Sequence, residues 1–300
     1  MATLATGLLF VMGVLPLTQP ANNSDEDTKS TSTKNDKGTQ VGSALAGGTQ
    51  QEKLFKKQFV AAFSNPGAIG TLDVDIKRGS ILVTGYEGDK VIVDLTVPNY
   101  SRSDAQPSDG LKELRPNTLD FGIEESENRI KVDGNSYEYI TDLHIQVPNR
   151  TDLILDSYRD GKIVVEKVSG HFNLRSQNND IQLKEVSGSA RLRAYNGSLA
   201  ADFESVAKGK ELYFKYYNGS IDLMLPDGIQ ADLRYRSGSG SVATDFDVAQ
   251  SDELIQKTSA GQIEFDEFNY GTLNGGGPAL TIETEKGDIR LRRRMELSIR

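Results

Sequence analysis

Four basic residues, Arg175, Arg193, Lys215 and Arg236, each stand six positions before an aliphatic residue that follows a small-residue turn. Arg191, Tyr213 and Arg234 stand two positions earlier in their own segments. Basic groups repeated at one point of a repeating unit suit a row of anionic groups, since each guanidinium offers a planar fork of donors to a carboxylate or phosphate. Tyr158, Tyr195, Tyr216, Tyr217 and Tyr235 gather just before the same turns, where aromatic faces can stack on sugar rings. Both sets also have a structural reading. The bases can form a solvated face balanced by Asp and Glu on adjoining sheets, and the tyrosines can fill cross-strand contacts.

Other chemistry has less to work with. The chain has no Cys, which removes thiolate nucleophiles, disulfides and Cys-based zinc sites. Its two histidines, His144 and His171, alternate with apolar residues or follow a turn glycine and read as structural. Asp152, Asp156 and Asp160, or Asp245 and Asp247, invite a calcium reading, but calcium needs six to eight converging oxygens and these acids read as solubilising. A polysaccharide lyase or hydrolase is the enzymatic alternative, with Arg or Lys as base or paired carboxylates as acid and base. Such an enzyme needs long loops to wall a cleft, and the segments here are short. No G-x-S-x-G, P-loop or H-E-x-x-H occurs. No catalytic residue, metal ligand or cofactor is expected.

The residues of interest are positioned by a repeat. Tyr195-Asn196-Gly197-Ser198-Leu199 returns as Tyr217-Asn218-Gly219-Ser220-Ile221, with looser copies on both sides. The aliphatic anchors are Ile163, Ile181, Leu199, Ile221, Val242, Ile263 and Ile289, spaced 18 to 26 residues apart. Nine and seven residues before the anchors the chain is mostly apolar, as in Phe172/Leu174, Ala190/Leu192, Leu212/Phe214, Leu233/Tyr235 and Leu280/Ile282. The alternate positions are mostly polar. Strands send successive side chains to opposite faces, so each unit reads as strand, tight turn, strand, with one apolar face inward. The predicted fold is all-β, a single-domain parallel β-helix with short coils of about 18–26 residues, each stacked on the last. A sandwich or hairpin meander is the alternative, because Asn-Gly is also a hairpin signal. An earlier copy runs from Leu72 to Val83, and further strands are predicted at Val91–Val97, Leu119–Ile123, Arg129–Val132 and Asp142–Val147.

The solenoid domain is predicted over 54–297, with an exposed insertion at 98–118 marked by Pro98, Pro107, Gly110 and Pro116. The apolar run Leu4 to Leu17 has the length of a secretory core, so 1–21 reads as a signal peptide whose removal leaves no membrane span. Residues 22–53 are rich in Ser, Thr, Asp, Lys and Gly and read as a disordered linker. The net charge of −9 argues against nucleic acid as a partner. Arg290 to Arg294 reads as a solvated last strand that blunts a sheet edge. In a stack taken in chain order, Asp73 and Asp75 flank the basic ladder at one end and Glu283 at the other.

The chain resembles the bacterial "putative adhesin" family defined by the DUF4097 domain. The resemblance rests on Gly70-Thr71-Leu72-Asp73-Val74, on Arg78 to Tyr86, on the Asn-Gly-Ser-Ile units and on Leu273-Asn274-Gly275-Gly276-Gly277-Pro278, and covers about residues 55–293. It implies an exported envelope protein with a β-helix-like fold and supplies no catalytic residues to carry over. Together these readings describe a noncatalytic protein of the periplasm, cell surface or medium. Its binding face would be Arg175, Arg191, Arg193, Tyr213, Lys215, Arg234 and Arg236. The expected partner is an anionic polysaccharide, a lipid headgroup or another envelope protein. A purely structural or signalling envelope component is the remaining alternative.

Overall fold

The computed structural model describes residues 54–98, 119–251, 256–259, 262–265 and 267–295. The signal peptide expected over 1–21, the linker over 22–53 and residues 99–118 of the insertion lie outside the described residues. Those described are all-β, without a helix, and the main sheet curls into a nearly closed, barrel-like form.

The first strands are β1 (Phe55–Ala62), β2 (Gly70–Arg78), β3 (Ile81–Tyr86), β4 (Lys90–Val97), β5 (Phe121–Ser126), β6 (Arg129–Gly134) and β7 (Asp142–Pro148). Then come β8 (Thr151–Arg159), β9 (Lys162–Glu166), β10 (Ser169–Asn178), β11 (Asp180–Asn196), β12 (Leu199–Val206), β13 (Leu212–Asn218) and β14 (Ile221–Pro226). The last are β15 (Ala231–Ser239), β16 (Val242–Thr244), β17 (Val248–Ser251), β18 (Gln256–Ser259), β19 (Gln262–Phe265), β20 (Asn269–Leu273), β21 (Ala279–Lys286) and β22 (Ile289–Arg294).

Two ladders run side by side. The front ladder pairs β6, β2, β8, β10, the second half of β11, β13, β21 and β15 in parallel. The rear ladder pairs β7, β3, β9, the first half of β11, β12, β14, β22 and β16, also in parallel. Antiparallel strands close the ends: β5 on β6, β4 and β1 beyond β7, and β20 and β17 beyond β15. The anchor registers follow the turn phrases, so Ile81, Ile163, Ile181, Leu199, Ile221, Ile289 and Val242 stand in one row.

Units do not stack in chain order, which corrects the expectation that each lies on the one before. The unit of β21 and β22 sits between that of β13 and β14 and that of β15 and β16. At the other end β2 and β3 sit between β6 and β7 on one side and β8 and β9 on the other. The copy at Ser259 to Ile263 is no coil: β18 and β19 pair antiparallel in a separate two-stranded sheet.

The inward rows make the core. Leu72, Leu153, Phe172, Ala190, Leu212, Leu280 and Leu233 are buried in one row, and Val74, Leu155, Leu174, Leu192, Phe214 and Ile282 in the next. Apolar strand faces buried on both sides of the turn supply the stabilisation, about 25 cal/mol for each Å² removed from water. The corner is held by close backbone approach. Gly219 has φ +149°, and a side-chain carbon there would collide with the Gly197 carbonyl oxygen of the neighbouring turn. The same contact repeats from Gly287 to Gly219 and from Gly240 to Gly287, following the stacking order rather than the chain order.

β22 is an interior strand, not the sheet edge expected for Arg290 to Arg294. Its arginines meet acids. Arg292 pairs with Asp222, Arg293 with Asp227 and Asp247, and Arg294 with Asp202 and Glu204.

Candidate functional site

The front ladder places its outward residues in straight rows, because register is kept from strand to strand and neighbours lie about 4.8 Å apart. Arg175, Arg193 and Lys215 are consecutive in one row on β10, β11 and β13. Arg191 and Tyr213 are neighbours in the row beside it. Next to Lys215 stands Glu283, and beyond Glu283 stands Arg236. Glu283 is therefore inside the row and not at its end.

The seven expected site residues divide into two groups. Lys215 Nζ lies 3.0 Å from a Glu283 carboxylate oxygen, and Arg236 lies 3.6 Å from the same carboxyl group. Arg236 also pairs with Glu285 and Glu267. Arg234 lies over the Phe268 ring, 3.6 Å from its centroid. These bases have acidic or aromatic partners, and Arg236 is largely covered. They stabilise the end of the array and offer little to a ligand. Sequence reasoning missed Glu283 and Phe268 as their partners, because neither neighbour relation follows chain order.

Arg175, Arg191 and Arg193 differ. Among the described residues none of the three has a carboxylate within ion-pair distance. Arg175 and Arg193 are exposed and Arg191 is half-buried. The guanidinium carbons of Arg191 and Arg193 lie 4.9 and 5.4 Å from the centroid of Tyr213. An aromatic face within about 6 Å attracts a cation by roughly 0.5–1 kcal/mol at an exposed site, so Tyr213 positions two charges that would otherwise repel. Tyr213 is thus the floor of the cluster.

On the other side of Arg175 the row turns acidic, through Asp156, Asp75 and Asp133. The Asp156 carboxyl is pushed above the usual aspartate range, first by burial and then by Asp75 beside it, while Arg175 pulls the other way. Asp75 is held by Lys77 at 2.8 Å, which in turn raises the Lys77 pKa, and Asp133 by Lys131 at 2.8 Å. Asp73, one row over, pairs with Arg129.

The aromatic set divides too. Tyr195 and Tyr217 are exposed and stacked, with centroids 4.8 Å apart and planes 7° apart, next to the basic cluster. Tyr158 is exposed and edge-on to Tyr137. Tyr216 is fully buried, and Tyr235 lines a partly open pocket of about 270 Å³ among β15, β16, β17, β21 and β22. Tyr216 belongs to the core and Tyr235 packs half-buried against it, which fits the packing reading of the tyrosines rather than the sugar-stacking one. Their parity along the strand puts them inward.

Four of the five acids considered for calcium have structural partners: Asp152 accepts from the His171 backbone N–H at 2.7 Å, Asp160 pairs with Arg78, Asp245 accepts from the Arg293 backbone N–H, and Asp247 pairs with Arg293. Among the described residues no group of three His, Cys, Asp or Glu converges as a metal site. His171 Nδ1 meets the Ser189 hydroxyl at 2.9 Å, and His144 is exposed on the rear face. Among the described residues no helix is long and apolar enough to cross a membrane.

No family model matches the chain, and no curated protein matches it. Solved structures do. The chain is similar to a "putative cell adhesion protein" from Clostridium sporogenes ATCC 15579, at 10% identity and a TM-score of 0.38, over 81% of this chain and 100% of that one. It is also similar to a "putative adhesin" from Bacteroides fragilis NCTC 9343, at 12% identity and a TM-score of 0.28, over 81% and 97%. A third, a "putative adhesin" from Parabacteroides merdae ATCC 43184, has 9% identity and a TM-score of 0.26, over 81% and 97%.

Proposed function

We propose that the chain is an exported, noncatalytic β-solenoid of the DUF4097 "putative adhesin" type that binds an anionic polysaccharide at the bacterial envelope. In this reading 1–21 is the signal peptide, 22–53 the linker and 54–297 the solenoid domain. The binding residues are Arg175, Arg191 and Arg193, with Tyr213 beneath them and the Tyr195–Tyr217 stack alongside. One observation carries the proposal: these three guanidinium groups have no carboxylate partner among the described residues, whereas Lys215 and Arg236 do. Arg175 and Arg193 in one row perpendicular to the strands, with Arg191 in the row beside it, suit a linear polymer with a carboxylate on each sugar, laid along the stacking direction.

The test uses polygalacturonate and the purified chain. The triple change Arg175→Glu, Arg191→Glu and Arg193→Glu abolishes binding. A charge-matched control, Lys162→Glu, Lys208→Glu and Lys210→Glu, keeps it. Equal loss in both variants, or binding by the first, contradicts the site. Release of unsaturated or reducing ends from the polymer by the unaltered chain contradicts the noncatalytic reading.

A further inference from the structure

The outward face of the front ladder is acidic in one half and basic in the other, and the two halves match. One row reads Asp133, Asp75, Asp156, Arg175, Arg193, Lys215 along β6, β2, β8, β10, β11 and β13. The row beside it reads Lys131, Asp73, Ile154, Asn173, Arg191, Tyr213 along the same strands. The sign changes between β8 and β10. A twofold axis laid there, in the plane of the face and parallel to the strands, brings a second copy over the first with its rows reversed. Asp156 then meets Arg175, Asp75 meets Arg193, Asp133 meets Lys215 and Asp73 meets Arg191. Each meeting occurs twice by symmetry. Lys131 meets the Tyr213 ring. In the outer row, Arg129 meets Glu211, the residue just before β13. No like charges meet in these rows.

We infer that this face pairs two copies of the chain, front to front, with their stacking directions opposed. Three further facts favour the pairing. Among the described residues Arg175, Arg191 and Arg193 have no carboxylate within ion-pair distance, and each gains one across the axis. Among the described residues Asp156 has no cation within ion-pair distance, and it gains Arg175. The face is large enough: six strands at about 4.8 Å by seven residues at about 3.3 Å give roughly 670 Å² on each copy, or about 1,300 Å² in total, within the range of specific interfaces. Lys77, Lys131 and Arg129 already hold three of the acids. The pair is accordingly reversible and dissolves as salt rises.

The inference goes beyond the polysaccharide reading, and a second copy competes with a polyanion for the same arginines. Sedimentation of the purified chain at low and high salt tests it through two variants, Arg193→Asp and Asp75→Arg. The unaltered chain sediments as a dimer at low salt and a monomer at high salt. Each variant alone sets like charges opposite one another and weakens the dimer at least ~10-fold. The two variants mixed form a heterodimer, because opposite charges meet again at both symmetry-related points. Polygalacturonate binding separates the two readings: Asp75→Arg loses the dimer and keeps the polymer, while Arg193→Asp loses both. A monomer at low salt, or variants that fail to pair when mixed, overturns the inference. Loss of polymer binding alone leaves the pairing standing and removes only the ligand.

Discussion

Replacing Glu283 with Gln removes the carboxylate between Lys215 and Arg236 and keeps the side chain's shape. Glu283 is 8% exposed, Lys215 lies 3.0 Å away, and Arg236 lies 3.6 Å away. Breaking a fully buried ion pair costs about 3–5 kcal/mol, but that ceiling does not apply here. The Lys215 side chain is 48% exposed, so its pair with Glu283 contributes under about 1 kcal/mol. Arg236 keeps Glu285 and Glu267, so the loss on that side is partial. The expected destabilisation is about 1–2 kcal/mol, a fall in Tm of about 2–8 °C for a domain of this size. The change has an opposite effect on ligands. With the acid gone, a neutral glutamine is all that stands between Lys215 and Arg236, and no carboxylate breaks the row from Arg175 to Arg236. Polygalacturonate binding should rise severalfold at low salt and return to the unaltered value at high salt. Thermal unfolding and polymer titration on the same preparation read both effects. Unchanged stability together with unchanged binding would refute the placement of Glu283 within the row.

Three further outcomes follow from particular residues. Gly219→Ala drives a side-chain carbon into the Gly197 carbonyl at φ +149° and should cost more than about 3 kcal/mol in urea unfolding; a variant as stable as the unaltered chain contradicts the corner geometry. The Tyr216 hydroxyl is buried without a hydrogen-bond partner among the described residues, and burial pushes its pKa up, so Tyr216→Phe should be neutral or stabilising by about 1 kcal/mol, and a loss of about 2 kcal/mol contradicts its placement. Asp156 holds its proton more tightly folded than unfolded, so it lowers stability as pH rises from the ordinary aspartate range to its raised value. Asp156→Asn should flatten that slope and leave the chain more stable at neutral pH; urea melts between about pH 4 and pH 7 read it, and an unaltered slope contradicts the assignment.

Local structure was legible and long-range order was not. The alternation in Phe172 to Arg175 and Leu212 to Lys215 sets which side chains face inward, because parity on a strand is fixed by the backbone alone. The Asn-Gly-Ser phrase marks the corners, where positive φ and close approach exclude larger residues. Stacking order depends on which apolar row covers which. Leu212/Phe214 fits Leu280/Ile282 as well as Leu233/Tyr235, so the strands carry no local signal that β21 comes between. The same ambiguity hid the neutralising role of Glu283 and the interior position of Arg290 to Arg294. It also turned the phrase at Ser259 to Ile263 into a false coil, since a turn signal does not state whether the next strand pairs with its predecessor or with a distant unit. Parity alone could have removed Tyr216 from the aromatic set, because it shares the inward phase of Leu212 and Phe214.

The stacking order underlies both proposed uses of the front face, and the absence of native cysteine makes it open to direct measurement. Two double variants are compared under mild oxidation: Lys215→Cys with Glu283→Cys, and Lys215→Cys with Arg236→Cys. Parallel neighbours about 4.8 Å apart lie within disulfide reach, and positions two strands apart do not. The expected result is a rapid intramolecular crosslink in the first variant and none in the second. A crosslink between positions 215 and 236 with none between 215 and 283 would contradict the order, and the division of the basic row with it.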